Sequence, residues 1–340
     1  MQITQVDTDF FLIEKIFNQL SSSVAIALMR KDKLIYEFYG GKKFSSTSNA
    51  DHINRSTRFN IGTASMVITG ALIVKLMEFG EIRLNDSVQR FIPNFKFEDI
   101  TVFHLLTHTS GLSFNSFELP ENYIEKKEFY KKVYDVSNRT YETGKSYAPF
   151  TYGYAILSDI AERIMGQTID ELASALIFMP LGMNHTTYGS SSLREDQFVI
   201  PWNHKENRFL YELHKKLSTG FCGIYSTVLD MIRFGRMFLN EGIFDNRQIF
   251  LESSIDFMLR EITGNRFMRT PIFMIKGNAD RYGCFAKSHS ASAVAQTGDT
   301  GSILFIDPTY KTVGVALANS TWVNDASTNY SNVCDILMSI

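Results

Sequence analysis

Few side chains in this sequence have the spacing to do chemistry, and each obvious group lacks a partner. His104 and His108 stand four residues apart, which turns two imidazoles to one side of a helix and would let them share a metal ion. A zinc-hydrolase pair of this kind needs a glutamate directly after the first histidine, and that position is Leu105. Gly144-Lys145-Ser146 has the ending of a phosphate-binding loop. The glycine that should open such a loop, five positions before Gly144, is Arg139. The three cysteines, Cys222, Cys284 and Cys334, are odd in number and fit no metal or redox spacing. They read as small buried residues in a reducing compartment. Cys222 has no histidine beside it to take a thiol proton, so packing is its simpler role. No metal or other cofactor is expected.

The elements that must position any site are clearer. Val24–Met29 and Leu34–Tyr39 are β-rich runs separated by the polar segment Arg30–Lys33, the pattern of a hairpin. Ser302–Ile306 and Thr312–Ala318 form a second pair, with Asp307-Pro308 opening the turn. Strands at both ends with helices between predict an α/β (α+β) fold, with one antiparallel sheet assembled from the termini. From Ser65 to Phe79 the chain is apolar nearly all round, which predicts a helix buried on most sides and capped by Gly80. Further helices are predicted over about Tyr154–Met165, Asp170–Phe178 and Val228–Asn240. Phe10, Phe11, Ile13, Ile16, Phe17 and Leu20 have the spacing of one more packed helix.

Composition excludes some partners. The chain has 340 residues, is 44% hydrophobic and 21% charged, and carries a formal net charge of −2. That balance gives no reason to expect nucleic acid or an anionic membrane. The first twenty residues lack the basic start and apolar core of a signal peptide, and no apolar stretch is long enough to span a bilayer. A cytoplasmic location is the default expectation.

Several segments in order resemble the serine β-lactamase-related family, which includes class C β-lactamases, low-molecular-weight penicillin-binding proteins and related esterases. They are Phe59-Asn60-Ile61-Gly62, Asp86-Ser87-Val88 with Phe91-Ile92-Pro93, His104 to Leu112, Gly153-Tyr154, Pro180-Leu181-Gly182-Met183, Gly223 to Thr227 with Asp230 and Phe234, and Gln296 to Gly301 with Ile306-Asp307-Pro308 and Asn319. The resemblance covers about residues 10 to 325. It implies a β-lactamase/transpeptidase-like fold and a single domain over 1–340. In that domain a sheet-containing part (about 1–65 and 215–340) stands beside a mostly helical part (about 66–214), with the site between them. It also reads the histidine-containing stretch as structural.

Family members use three motifs: Ser-x-x-Lys, Tyr-x-Asn and Lys/His-x-Gly. Acyl transfer of this kind needs a hydroxyl nucleophile with a base in hydrogen-bond reach. Here Gly-Ser-x-Ser-Lys reads Gly62-Thr63-Ala64-Ser65-Met66. Thr63 keeps a hydroxyl but adds a crowding methyl, and the Met66 thioether cannot exchange a proton. By its neighbours, the second motif falls on Pro149 and Thr151; only a slipped register would bring Tyr147 or Tyr152 into the pocket. The third reads Gln296-Thr297-Gly298, with an uncharged carboxamide for the usual cation. Free N–H groups at the helix start near Thr63 would still favour an anion.

These losses imply a pseudoenzyme of the serine hydrolase type, inactive or very weakly active. It would use the residual cleft (Thr63, Phe150, Tyr152, Thr297, Gly298) for a small molecule, peptide or protein partner. The alternative is a working peptidase, esterase or amidase with Thr63 or another unconventional nucleophile. An open pocket at Thr63 would favour binding; one filled by Met66 and Phe150 would favour a structural role.

Overall fold

The computed structural model describes residues 23–41, 43, 52–113, 125–136, 138–199, 202–203, 208–209, 218–321 and 326–340. The helix expected around Phe10–Leu20 lies outside them. Strands β1 (Ser23–Arg30) and β2 (Lys33–Gly41) form the first hairpin. Its turn residues Lys31 and Asp32 take φ of 48° and 66°, the pair of positive values that a two-residue type I′ turn requires. The short β3 (Arg58–Asn60) leads through a 3-10 turn (Gly62–Ser65) into helix α1 (Met66–Glu78). Helices α2 (Val102–Leu106), α3 (Lys126–Val136), α4 (Tyr152–Met165) and α5 (Ile169–Ala173) follow. The helix expected over Asp170–Phe178 is α only in its first part and continues as a π turn, Ser174–Phe178. Next come the two-residue strands β4 (Thr187–Tyr188) and β5 (Phe198–Val199), then β6 (Ile224–Ser226) and helices α6 (Val228–Leu239) and α7 (Glu252–Leu259). Four strands, β7 (Met274–Ile275), β8 (Val294–Gly298), β9 (Ser302–Asp307) and β10 (Thr312–Ala318), precede the final helix α8 (Ala326–Ser339).

The main sheet has the antiparallel order β7-β8-β9-β10-β1-β2. Pairing of Val24 with Ala318 through Arg30 with Thr312 joins the two ends of the chain, as the two β-rich pairs predict. Side-chain alternation explains the layers. Val24, Ile26 and Leu28 face one way, against Val333, Cys334 and Leu337 of α8. Ala25, Ala27 and Met29 face the other way, into the larger core with α1, α4 and α6. Helix α6 comes close to the sheet at Gly235, where a Cβ would stand 2.4 Å from a Val313 methyl.

Helix α1 runs through the middle of the larger core, with its residues buried from Met66 to Val74. Burial obliges its polar side chains to find partners. Thr69 donates to the Gly220 carbonyl at 2.6 Å and meets the Tyr188 hydroxyl at 3.0 Å, tying α1 to β4 and the approach to β6. Thr69→Val keeps the shape and strands both groups. It is expected to lower stability by about 2 kcal/mol in denaturant unfolding.

Candidate functional site

The site forms where the start of α1 meets the end of β8. A Cβ on Gly298 would lie 2.1 Å from the Ile61 carbonyl oxygen, so strand and helix approach closer than any side chain permits. Thr300 donates to the Asn60 carbonyl at 2.7 Å, and the Tyr330 hydroxyl of α8 donates to the Gly298 carbonyl at 2.6 Å. These bonds hold Thr63 beside the β8–β9 turn.

Thr63 is partly exposed, and both of its polar groups meet one residue, Asp299. The Thr63 N–H donates to Asp299 Oδ1 at 2.8 Å, and the Asp299 N–H donates to Thr63 Oγ1 at 3.3 Å. The N–H expected to be free for an anion is therefore already taken by an internal carboxylate. Asp299 directly follows Gly298, and the sequence reasoning gave it no role. The one signal in the sequence is an acidic residue directly after the glycine of the third motif. Among the described residues, no side chain that could act as a base hydrogen-bonds the Thr63 hydroxyl.

The other motif positions are placed as follows. Met66 is 5% exposed and belongs to the main core. Ser65 turns inward, donating to the Gly62 carbonyl at 2.7 Å and accepting the Ile224 N–H at 3.2 Å, so it fixes the turn. Gln296 is buried; its Nε2 donates to the Thr297 carbonyl at 3.0 Å, while among the described residues its Oε1 has no donor. Pro149 is exposed, and Thr151 and Thr297 are partly exposed. Phe150, expected to line the cleft, is instead 4% exposed and packed in the core. Helix α4 begins at Tyr152, two residues earlier than its apolar stripe indicates. Met66 and Phe150 are thus both buried, and the residues of the site that keep exposed surface, Thr63, Thr297 and Asp299, form its mouth.

Tyr152 packs its ring 4.7 Å from Phe221. Burial holds its hydroxyl well above the ordinary tyrosine range, with Cys222 and Asp299 adding to the effect, so it is no base near neutral pH. Tyr147 points into a different cluster, with ring centres 6.1 Å from His108, 5.8 Å from Tyr282 and 6.4 Å from Phe267. Burial drives the Cys222 thiol far up, away from the thiolate a nucleophile needs. His104 accepts the Thr101 N–H on Nδ1 at 3.1 Å and so caps α2.

The loop before α4 rests on a buried cation. Arg269 is 2% exposed; its side chain hydrogen-bonds Tyr154, and among the described residues its Nε and Nη2 have no hydrogen-bond partner. His108 lies close enough that the Arg269 charge, after desolvation, helps push its pKa down to about 3, while a hydrogen bond with the Phe150 backbone opposes this. His108 also accepts the Ala148 N–H on its carbonyl at 3.0 Å. The pair anchors the second-motif segment from beneath.

A sheet assembled from both chain ends, with helices on both faces and a helix start stapled to the end of a sheet strand, is the β-lactamase/penicillin-binding-protein fold. The Beta-lactamase family profile matches residues 13–332, and the chain belongs to that family. It is similar to an N-acetylmuramyl-L-alanine amidase of Bacillus subtilis (strain 168), at 24% identity over 302 residues, 77% of this chain and 67% of that protein. It is also similar to penicillin-binding protein 4 of Amycolatopsis lactamdurans, at 27% identity over 61% of this chain and 57% of that protein, so it spans little more than half of that relative's length. Among solved structures, the octameric penicillin-binding protein homologue from Pyrococcus abyssi superposes with a TM-score of 0.80 at 19% identity, covering 99% of this chain and 78% of that one.

Proposed function

We propose that this is a non-catalytic member of the β-lactamase family that binds a ligand or partner at the mouth of its reduced cleft. One observation carries the reading: the hydroxyl at the nucleophile position receives a hydrogen bond from the Asp299 N–H and, among the described residues, hydrogen-bonds no basic side chain that could take its proton. A threonine hydroxyl without such a base is a poor nucleophile at neutral pH. Met66 stands at the base position and is buried in the core with a thioether that cannot take a proton, while Thr63 and Asp299 keep exposed surface. Incubation with a fluorescent penicillin is expected to leave the chain unlabelled, and a nitrophenyl ester should hydrolyse at the buffer rate. Stoichiometric label on Thr63 defeats this reading.

A second reading keeps the enzyme. Asp299 is an ionisable side chain in direct contact with the nucleophile residue, and relatives at 24–27% identity carry the names of an amidase and a penicillin-binding protein. In that case ester or amide turnover is measurable and is abolished both by Thr63→Ala and by Asp299→Asn. Turnover that survives Thr63→Ala excludes Thr63 as the nucleophile.

A further inference from the structure

The Asp299 carboxylate has a consequence for what the mouth can hold. The start of α1 presents the positive end of a helix dipole, and the Thr63 N–H is the donor that an incoming carboxylate or other oxyanion would use. Asp299 Oδ1 already accepts that N–H at 2.8 Å, and the Asp299 N–H is directed to Thr63 Oγ1 at 3.3 Å. The fit is close: a Cβ on Gly62, whose φ is 56°, would stand 2.2 Å from the same Oδ1. Both donors are thus engaged within the chain, and the Asp299 carboxylate stands on the Thr63 N–H. Asp299 is nonetheless exposed, so this charge faces solvent at the mouth. Gln296 lies two residues before Gly298 on the same face of β8, by strand alternation. Its Oε1 is buried and, among the described residues, has no donor, while its amide nitrogen is spent on the Thr297 carbonyl. Strand β8 thus brings an uncharged carboxamide where a family-like cation would stand, and the turn after it brings the exposed Asp299 carboxylate.

We infer that Asp299 sets the charge class the cleft mouth admits: its carboxylate occupies the Thr63 N–H at the turn leading into α1, so the mouth excludes carboxylates and other oxyanions and takes an ammonium-type cation. This rests on the reading of the mouth as a binding site, and it deepens that reading by naming the ligand class.

The test uses two probes of similar shape and opposite charge, benzylammonium and benzoate. Each is titrated into the full chain while the Thr63 and Asp299 amide resonances are followed. The wild-type protein should show saturable shifts of both resonances with benzylammonium and none with benzoate. Asp299→Asn keeps an acceptor for the Thr63 N–H and so preserves the fold, which an unchanged melting temperature would verify. It should weaken benzylammonium about fivefold, the scale of one solvent-exposed charge pair. Asp299→Ala should acquire benzoate binding, read at the Thr63 amide. The inference is overturned if benzoate binds the wild-type site as well as benzylammonium does. It is equally overturned if Asp299→Asn leaves benzylammonium affinity unchanged, or if folded Asp299→Ala takes no benzoate. Neither probe has a bond to cleave, so these outcomes are independent of whether Thr63 can be acylated. Acylation by penicillin would defeat the non-catalytic reading while leaving the charge preference standing or falling by itself.

Discussion

Taking the protein from pH 7 to pH 5 is expected to remove about 4 kcal/mol of folding stability, through two buried histidines that stay neutral when folded. Burial, helped by the Arg269 charge, lowers His108 to about 3. Burial lowers His289 to about 4, against the pull of the Asp307 carboxylate. In the unfolded chain both rings titrate near the ordinary value of about 6.5. Between about pH 6.5 and the folded values, the unfolded state therefore binds protons that the native state refuses. Stability falls as pH falls, at up to about 1.4 kcal/mol per pH unit per ring, or about 2 kcal/mol each by pH 5. Asp230 opposes this at lower pH, because burial raises its carboxyl and the native state then gains the extra proton. Denaturant midpoints across the range check the slope. His108→Gln combined with His289→Gln should flatten it between pH 7 and pH 5; an equally steep slope in that variant removes both rings as the cause.

The architecture was largely legible in the sequence, because its signals are local and long. The two β-rich pairs, the all-round apolar run from Ser65 and the glycine caps all agree with the strands, helix α1 and Gly80 at φ 79°. A small second sheet, in the order β4-β6-β3-β5, was not legible. Its strands β4 and β5 are two residues long, too short to show any period, and β5 pairs with β3 in parallel. The π turn at Ser174–Phe178 carries no compositional mark beyond the proline that follows. At the site, loss of the titratable groups could be read residue by residue, whereas burial could not. Phe150 precedes a helix whose first turn is invisible in the apolar pattern, so its inward turn depends on packing from distant segments. Asp299 was visible but unassigned, since its importance comes from a helix start more than two hundred residues away in sequence. Arg269 lies between Phe267-Met268 and Ile272–Ile275, and nothing in the sequence marks its own charge for the interior.

Gly298→Ala should be the most damaging single-methyl change at the site, costing about 3 kcal/mol. No positive φ is involved at this position, so the penalty is purely steric. The added Cβ would stand 2.1 Å from the Ile61 oxygen and 3.1 Å from the Ala64 nitrogen, both backbone atoms. Neither atom can yield easily. The Ile61 oxygen accepts the Ala64 N–H at 3.1 Å, and the Ile61 N–H donates to the Ile224 carbonyl at 2.9 Å, which locks the turn between β3 and α1 to β6. Relief must come from β8 moving away, and that movement stretches the Thr63–Asp299 bonds and the Tyr330 bond to the Gly298 carbonyl. Gly80→Ala provides the contrast. Its φ of 79° strains an alanine, but nothing lies within 4 Å of the new Cβ, so the cost is the conformational one of about 1 kcal/mol. Urea unfolding of the two variants should separate them by about 2 kcal/mol, with the Thr63 amide resonance displaced only in Gly298→Ala. Equal stabilities would mean that strand and helix are not in contact here. The junction that places a carboxylate on the Thr63 N–H would then lose its physical basis, and the exclusion of anions from the mouth would lose it too.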